Sequence, residues 1–375
     1  MRLAKSAFPN ALLFPFFARR RRKPSVPYKR TAIVKLGKLG DGVLALGAIK
    51  TLVAHFGGAH CVIVASPYTL DLFSAEFPSV EILVVTTNHS TLRRTVVDLH
   101  RHRKHPLFRS GVENLVMLQH HRTLHDDVMI SAIPSSFAWG LKNSALGVFE
   151  QRDQIAKANF VFDNVTLNPT GSDEICRELS SHSALVSVVV DRPISPEQLR
   201  PRIHVNESPD SNAIGLAPFS GSALRDIPVA LLVAACKRAH AQALEVRIWT
   251  PSATEPRAAS LAAHLASVSR AKVTLVQTTT TSDLVRAIAK VKVVIAAESA
   301  PAHLAAALDK PLLAVIGGGH FGWFAPWTTS GRQRWIFSRQ SCYACNWRCI
   351  HPDAICITQI EEARFLGMLE DTLAS

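Results

Sequence analysis

Three short stretches place titratable or anion-binding side chains directly after apolar, β-branched runs. The first, KLGKLGDG (35–42), sets Asp41 among Gly37, Gly40 and Gly42, where an extended pattern gives way to a helical one. A carboxylate there can accept N–H groups of the first helical turn, or it can act as a base on a hydroxyl. Glycine spacing does not choose between the two, and it does not match the G-x-G-x-x-G dinucleotide fingerprint. The second stretch, LAPFSGSALRDIP (216–228), offers the hydroxyls and amides of Ser220, Gly221 and Ser222 at a turn, with Arg225 as a fixed cation just ahead of Pro228. It reads as an anion site or as a plain surface loop, with the proline opening the next helix. The third, AAESAPAHLAAALDKP (296–311), ends a strand at Ala297 and starts a helix at Ala300. Ser299 can cap that helix, and its first amides, at the positive end of the dipole, suit a phosphate. Glu298 and His303 flank the start; His303 reads as a ligand contact or as a hydrogen-bonded structural residue.

Two further groups invite chemistry. CYACNWRCIHPDAIC spaces Cys342, Cys345, Cys349 and Cys356 as C-x2-C-x3-C-x6-C. Four thiols so close in sequence fit a structural zinc site, though the second pair is looser than a C-x2-C partner; disulfides and a packed, metal-free thiol cluster stay open. Arg122, in LQHHRTLHDD, and the basic run from Arg101 to Lys104 could meet the phosphates or carboxylates of an acidic acceptor, or form a solvated face.

The elements that must carry these residues alternate in type. TAIVK (31–35), CVIVA (61–65) and EILVV (81–85) read as strands, with helices over 42–56 and across PYTLDLFSAEF. ENLVML (113–118) reads as a strand, 123–133 as a helix, 172–183 as a helix and ALVSVVV (184–190) as a strand, while 142–170 shows no clear period. After a polar, proline-bearing hinge (191–212) come strands at 213–217, 244–249, 273–276, 291–297 and 311–317, again separated by helices. Such alternation predicts parallel sheets covered on both faces, hence an α/β chain with two Rossmann-like domains facing one cleft. Ligands then bind beyond the carboxyl ends of strands, where all three motif stretches fall.

At 375 residues, two domains of ordinary size are expected. The formal net charge of +13 is not evenly spread: residues 1–30 hold nine of the 42 Lys and Arg and no acid. The apolar stretch Phe8–Ala18 is too short to span a bilayer, which takes about 20 residues, and four arginines follow where a secretory signal would have its cleavage site. Residues 1–29 therefore read as a peripheral attachment to an anionic inner-membrane surface, or as a disordered basic tail. No basic and aromatic pattern recurs in the domains, so no nucleic-acid partner is expected. Seven cysteines without an export signal fit reduced thiols in a cytoplasmic protein.

In order and spacing the motifs resemble glycosyltransferase family 9, the heptosyltransferase-like enzymes that build lipopolysaccharide and related glycans. The resemblance covers residues 30–372 and rests on IVKLGKLGDGVLA, LAPFSGSALRDIP and ESAPAHLAAALDKPLLAVIGG. It implies a GT-B fold with an acceptor domain over 30–205, a nucleotide-sugar donor domain with the cysteine-rich end over 206–357, and a C-terminal helix (358–375) packing back toward the N-terminal domain. It implies Asp41 as general base, Lys35, Gly40 and Arg122 on the acceptor side, and Ser220, Arg225, Glu298, Ser299, Ala300 and His303 around the donor. Glu255 falls near the nucleotide ribose. Glu298-Ser299-Ala300-Pro301 stands where the family often has Asp-Thr-Gly-Pro, and Ile227 replaces a tryptophan before Pro228; an added methylene and a lost indole would reshape the sugar pocket. The implied activity is inverting transfer of a sugar, such as heptose from an ADP-heptose-like donor, to a lipopolysaccharide-core or other surface-glycan hydroxyl, with no cofactor for catalysis and zinc only in a structural role. The alternative is a nucleotide-binding assembly partner of the same fold without transfer activity. An NAD-dependent oxidoreductase is a third option, which titration with NADH against ADP- and UDP-sugars would separate.

Overall fold

The structure, a computed structural model, describes residues 26–86, 92–119, 122, 124–141, 164–166, 175–208, 210–252, 254–328 and 330–375. The attachment segment expected at 1–29 falls outside these except for its last four residues. The chain divides into two compact units, Met1–Thr170 with Arg177–Leu199, and Gly171–Cys176 with Arg200–Ser375. The exchange at Leu199 and Arg200 lies inside the expected hinge, a few residues before the expected boundary.

The first unit holds β1 (Lys29–Lys35), β2 (Cys61–Ala65), β3 (Glu81–Val84), β4 (Val112–Met117), β5 (Ser135–Leu141) and β6 (Asn164–Thr166). All pairs are parallel, in the order β3-β2-β1-β4-β5-β6. Central strands covered on both faces must be apolar throughout, and Cys61–Ala65 is buried at every position. The helix Leu39–Phe56 follows β1. By length and composition alone it could cross a membrane, yet Val43, Leu44, Leu46, Ile49 and Leu52 are completely buried, as in a core helix.

Two local readings change. The valine run 184–190, expected as a strand, is the second half of the helix Arg177–Val189. β-branching costs a helix only a few tenths of a kcal/mol per residue, and burial of His182, Leu185 and Val186 outweighs it. β5 and β6 flank or fall within the stretch that showed no period, because Ser, Gly and Asn dilute their apolar pattern.

The second unit repeats the plan with β7 (Asp210–Ala217), β8 (Glu245–Thr250), β9 (Val273–Gln277), β10 (Val291–Ala297), β11 (Leu312–Val315) and β12 (Gln333–Ile336). The order is β12-β11-β10-β7-β8-β9, all parallel. In each sheet the winding direction reverses beside the first strand, between β1 and β4 and between β7 and β10. Crevices open at such reversals.

The C-terminal helix Glu362–Ala374 lays an apolar face into the second unit's own core: Phe365, Leu369 and Leu373 are buried there with Leu231, Leu232 and Ala235 of the helix Val229–Ala241. Arg238 and Glu370 pair across these two helices. Phe365→Ala should therefore lower stability by about 3–5 kcal/mol, read as a lower denaturant midpoint of the transition that reports the second unit.

Candidate functional site

In the first unit the end of β1 is tied to both neighbouring strands. Ser66 Oγ, after β2, donates to Gly37 O (2.6 Å), and Leu36 N donates to Gln119 Oε1, after β4 (3.1 Å). Asp41 sits in the first turn of the helix Leu39–Phe56, and its Oδ2 accepts the N–H of Lys38 (2.8 Å). The carboxylate thus folds back over Gly37, where a Cβ would lie 2.6 Å from both Asp41 Cβ and Oδ2. Only glycine leaves room there. Asp41 is half-buried, and Gly40 is the helical residue beside it.

Lys35 and Arg122, expected on the acceptor side, are both buried and paired with carboxylates. Lys35 is 1% exposed; its Nζ donates to Glu178 Oε1 (2.5 Å) and to Leu118 O (3.2 Å). His182 Nε2 approaches the same two oxygens, at 3.3 and 2.8 Å. This buried group fastens the helix Arg177–Val189 to the ends of β1 and β4, directly below the Asp41 loop. Arg122 is likewise no surface cation: it is 1% exposed, its Nε donates to Asp127 Oδ1 (2.9 Å), and its terminal nitrogen meets Leu141 O. A carboxylate satisfies each of these buried cations. Arg101, Arg103 and Lys104 remain exposed.

In the second unit the loops at the reversal bring distant residues together. The loop after β7 is closed by Ile227 N donating to Pro218 O (3.0 Å). Within it Ser220 is used internally: its Oγ donates to Ser222 O (2.7 Å) and its N–H to Asp226 Oδ1 (2.8 Å). Arg225 projects from this loop, its guanidinium carbon 5.6 Å from the centre of the Trp347 ring. Glu298, just beyond β10, is 5% exposed, and its Oε2 accepts Gly317 N–H (3.1 Å), just beyond β11. Burial pushes the Glu298 carboxyl up to about 7, against the Gly317 N–H and the Arg225 charge, which hold it down. Arg225 and Glu298 are therefore electrostatic neighbours.

The helix Ala300–Ala307 starts as expected, with Ser299 at its N-cap position. The Ser299 hydroxyl turns back to Ala297 O (3.2 Å). Pro301 has no N–H and Ala302 N–H donates to Ser299 O, which narrows the amide contribution to Ser299 and Ala300. His303 is buried, and its Nδ1 accepts from Trp327 Nε1 (3.0 Å). Indole N–H is only a donor, so the neutral imidazole carries its proton on Nε2. Sequence reasoning named neither Trp327 nor Trp347; an aromatic remote in sequence gives no periodic signal.

Beside the Arg225 loop lies a cavity of about 370 Å³, lined by Phe219, Trp249, Thr250, Glu255, Arg257, Leu284 and Pro301 among others. Its walls come from the ends of β7, β8 and β9 and from the helix after β10. Glu255 caps the helix Pro256–Ser269, its Oε2 accepting Ala258 N–H (2.7 Å). Arg257 lies over Phe219, 4.5 Å from the ring centre, and pairs with Asp226.

The four cysteines are free thiols, three of them half-buried and Cys356 buried. Burial, and then the neighbouring thiols Cys345, Cys356 and Cys342, push Cys349 up; burial and the same cluster do so for Cys356. Among the described residues no three His, Cys, Asp or Glu side chains are arranged to hold a metal ion.

The family model of glycosyltransferase family 9 (heptosyltransferase) matches residues 234–349. That range lies within the second unit and holds Glu255, Glu298, Ser299, Ala300 and His303, so the match takes in the last of the three motifs. A comparison with curated proteins finds no match. Among solved structures, the ADP-heptose lipopolysaccharide heptosyltransferase II of E. coli is similar over 92% of this chain and 98% of its own, at 18% identity and a TM-score of 0.64. An E. coli heptosyltransferase with ADP aligns over 92% and 99%, at 13% identity and a TM-score of 0.67. A family 9 glycosyl transferase from Veillonella parvula aligns over 94% and 99%, at 12% identity and a TM-score of 0.68. At these identities the likeness is one of fold: two Rossmann-type units of the GT-B kind.

Two measurements test the electrostatics. Because the folded protein holds the Glu298 proton more tightly than the unfolded chain does, the associated stability is fully present below the ordinary value of 4.5 and is lost as pH rises through about 7. Stability should fall with pH in this window by at most about 1.4 kcal/mol per pH unit, and Glu298→Gln should flatten that slope. Glu178→Ala, which strands Lys35, should cost about 3–5 kcal/mol in denaturant unfolding, whereas Lys35→Met with Glu178→Leu should cost much less.

Proposed function

We propose that this chain is an inverting glycosyltransferase that moves a sugar from a nucleotide-sugar donor to a hydroxyl of a glycan or glycolipid acceptor. The observation that carries this reading is the convergence of Arg225 and Glu298 at the β7/β10 reversal, beside the cavity that Glu255 lines. A nucleoside fits that cavity, whose walls are apolar with a carboxylate at one side, suited to ribose hydroxyls. The diphosphate then meets Arg225 and the amides of Ser299 and Ala300. As the glycosidic bond to the diphosphate breaks, charge gathers on the departing oxygen, and a fixed guanidinium stabilises it where it forms. Glu298, its carboxyl pushed toward neutrality, can sit near that anion and donate a hydrogen bond to the sugar.

The acceptor hydroxyl is a poor nucleophile until its proton has somewhere to go. Asp41, held by the Lys38 N–H, is the carboxylate at the β1/β4 reversal of the first unit and takes that proton as the new bond forms. One displacement inverts the anomeric centre. The E. coli relatives act in heptose transfer and one binds ADP, which makes ADP-heptose the first donor to try and a lipopolysaccharide core the first acceptor. The basic, apolar residues 1–29 would hold the protein at an anionic cytoplasmic membrane face, where such acceptors are built.

Asp41→Asn should lower kcat by about 10²- to 10⁴-fold while ADP affinity, measured by calorimetry, stays within about twofold. A chain that binds ADP but transfers no sugar from any ADP- or UDP-sugar, with Asp41 intact, would instead be a nucleotide-binding partner.

A further inference from the structure

The cysteine-bearing segment reaches the proposed donor site through one side chain. We propose that Trp347 is a positioning residue for Arg225: its indole face holds the guanidinium so that the guanidinium's N–H groups stay available to the donor's phosphates. The proposal rests on the donor-site reading above and deepens it.

Three observations fix the indole before it meets Arg225. Its Nε1 donates to His320 Nδ1 (3.2 Å), and His320 Nε2 lies 2.6 Å from Asn346 Oδ1. Its ring lies flat on the strip Gly317–Gly319, where a Cβ would come within 2.2 Å of the ring at Gly317 and 2.5 Å at Gly319. The backbone that presents it is pinned to the same strip, by Ala344 N–H to Gly318 O (2.8 Å) and Asn346 N–H to Gly319 O (3.0 Å). Asn346 and Trp347 adopt φ of 52° and 58°, the left-handed region that non-glycine residues occupy only at some cost. That cost is met by a ring clamped on one face by glycines.

The ring also meets Arg225, whose guanidinium carbon lies 5.6 Å from its centre. A guanidinium stacked on an aromatic face is held through its flat surface, and its five donors, which lie in its plane, are not consumed. A carboxylate partner would take two of those donors. Among the described residues no carboxylate lies within ion-pairing distance of Arg225, and Glu298 acts on it only as a neighbouring charge. The same glycine strip supplies the Gly317 N–H that Glu298 accepts. Trp347 therefore registers Arg225 against Glu298.

The test is a double-mutant cycle on the full chain, read by ADP affinity in calorimetry and by donor KM and kcat. Trp347→Leu should weaken ADP about 5- to 30-fold and raise donor KM more than it lowers kcat. Trp347→Phe, which keeps an aromatic face, should recover most of the loss. In the Arg225→Ala background, Trp347→Leu should weaken ADP no further. Additive losses, or a Trp347→Phe as impaired as Trp347→Leu, overturn the positioning role while the donor site stands. If Arg225→Ala itself leaves ADP affinity unchanged, the donor-site reading fails, and the inference with it. Should Trp347→Leu not fold, Trp347→Met, which also lacks an aromatic face, crossed with Arg225→Ala carries the same cycle: non-additive losses support the role and additive ones overturn it.

Discussion

Parallel strands cannot be joined by tight turns, so each must hand the chain to a crossover helix and receive it back at the same end of the sheet. In each sheet two strands are laid to one side of the first strand, the fourth is placed on the other side, and the two crossovers part. Both sheets of this chain obey that constraint, with identical strand order. What lies at the carboxyl ends of β1 and β4, and of β7 and β10, follows from it. The glycine-bearing loop before Asp41, the Arg225 loop and the Glu298-Ser299 helix start are the segments that emerge beside the two gaps.

The two gaps handle buried charge differently. Below the Asp41 loop the carboxylate of Glu178 is matched by Lys35 and approached by His182, so the charges compensate one another and the group fastens three elements. At the β7/β10 gap Glu298 has one backbone N–H and a cation at longer range, and burial wins: its carboxyl is pushed up to about 7. A buried carboxyl left short of compensation is costly unless a ligand or proton completes it, which is why perturbed groups mark sites more often than scaffolds. The first cluster is what a stable fold does with charges it must bury. The second is what a binding site keeps in reserve.

Strand and motif positions were legible because burial on both faces writes itself as runs such as CVIVA, and because glycine, serine and proline punctuate the loops after them. The valines at 184–190 misled because local preference for strands is worth less than the burial of Leu185 and Val186 in a helix. β12 carried no signal, since Gln333 and Arg334 interrupt its pattern. The pairing of Lys35 and Arg122 was not legible, because sequence gives charge but not the carboxylate, 143 or five residues away, that neutralises it. Trp327 and Trp347 were invisible for the same reason: each acts on a partner more than twenty residues distant. The C-terminal helix showed its apolar face but not which core would take it.

Whether Asp41 caps a helix or serves as a base is a false choice in this geometry. The Lys38 N–H occupies Oδ2 and fixes the rotamer, and Gly37 gives the side chain the space to fold back. In displacement at a sugar with oxocarbenium character the electrophile is strongly activated, and the hydroxyl loses its proton late, when it is already acidic. A base held in one direction suits that sequence better than one that wanders. In the proposed reaction the Lys38 bond supplies that aim, and the glycine beneath it gives the side chain its room.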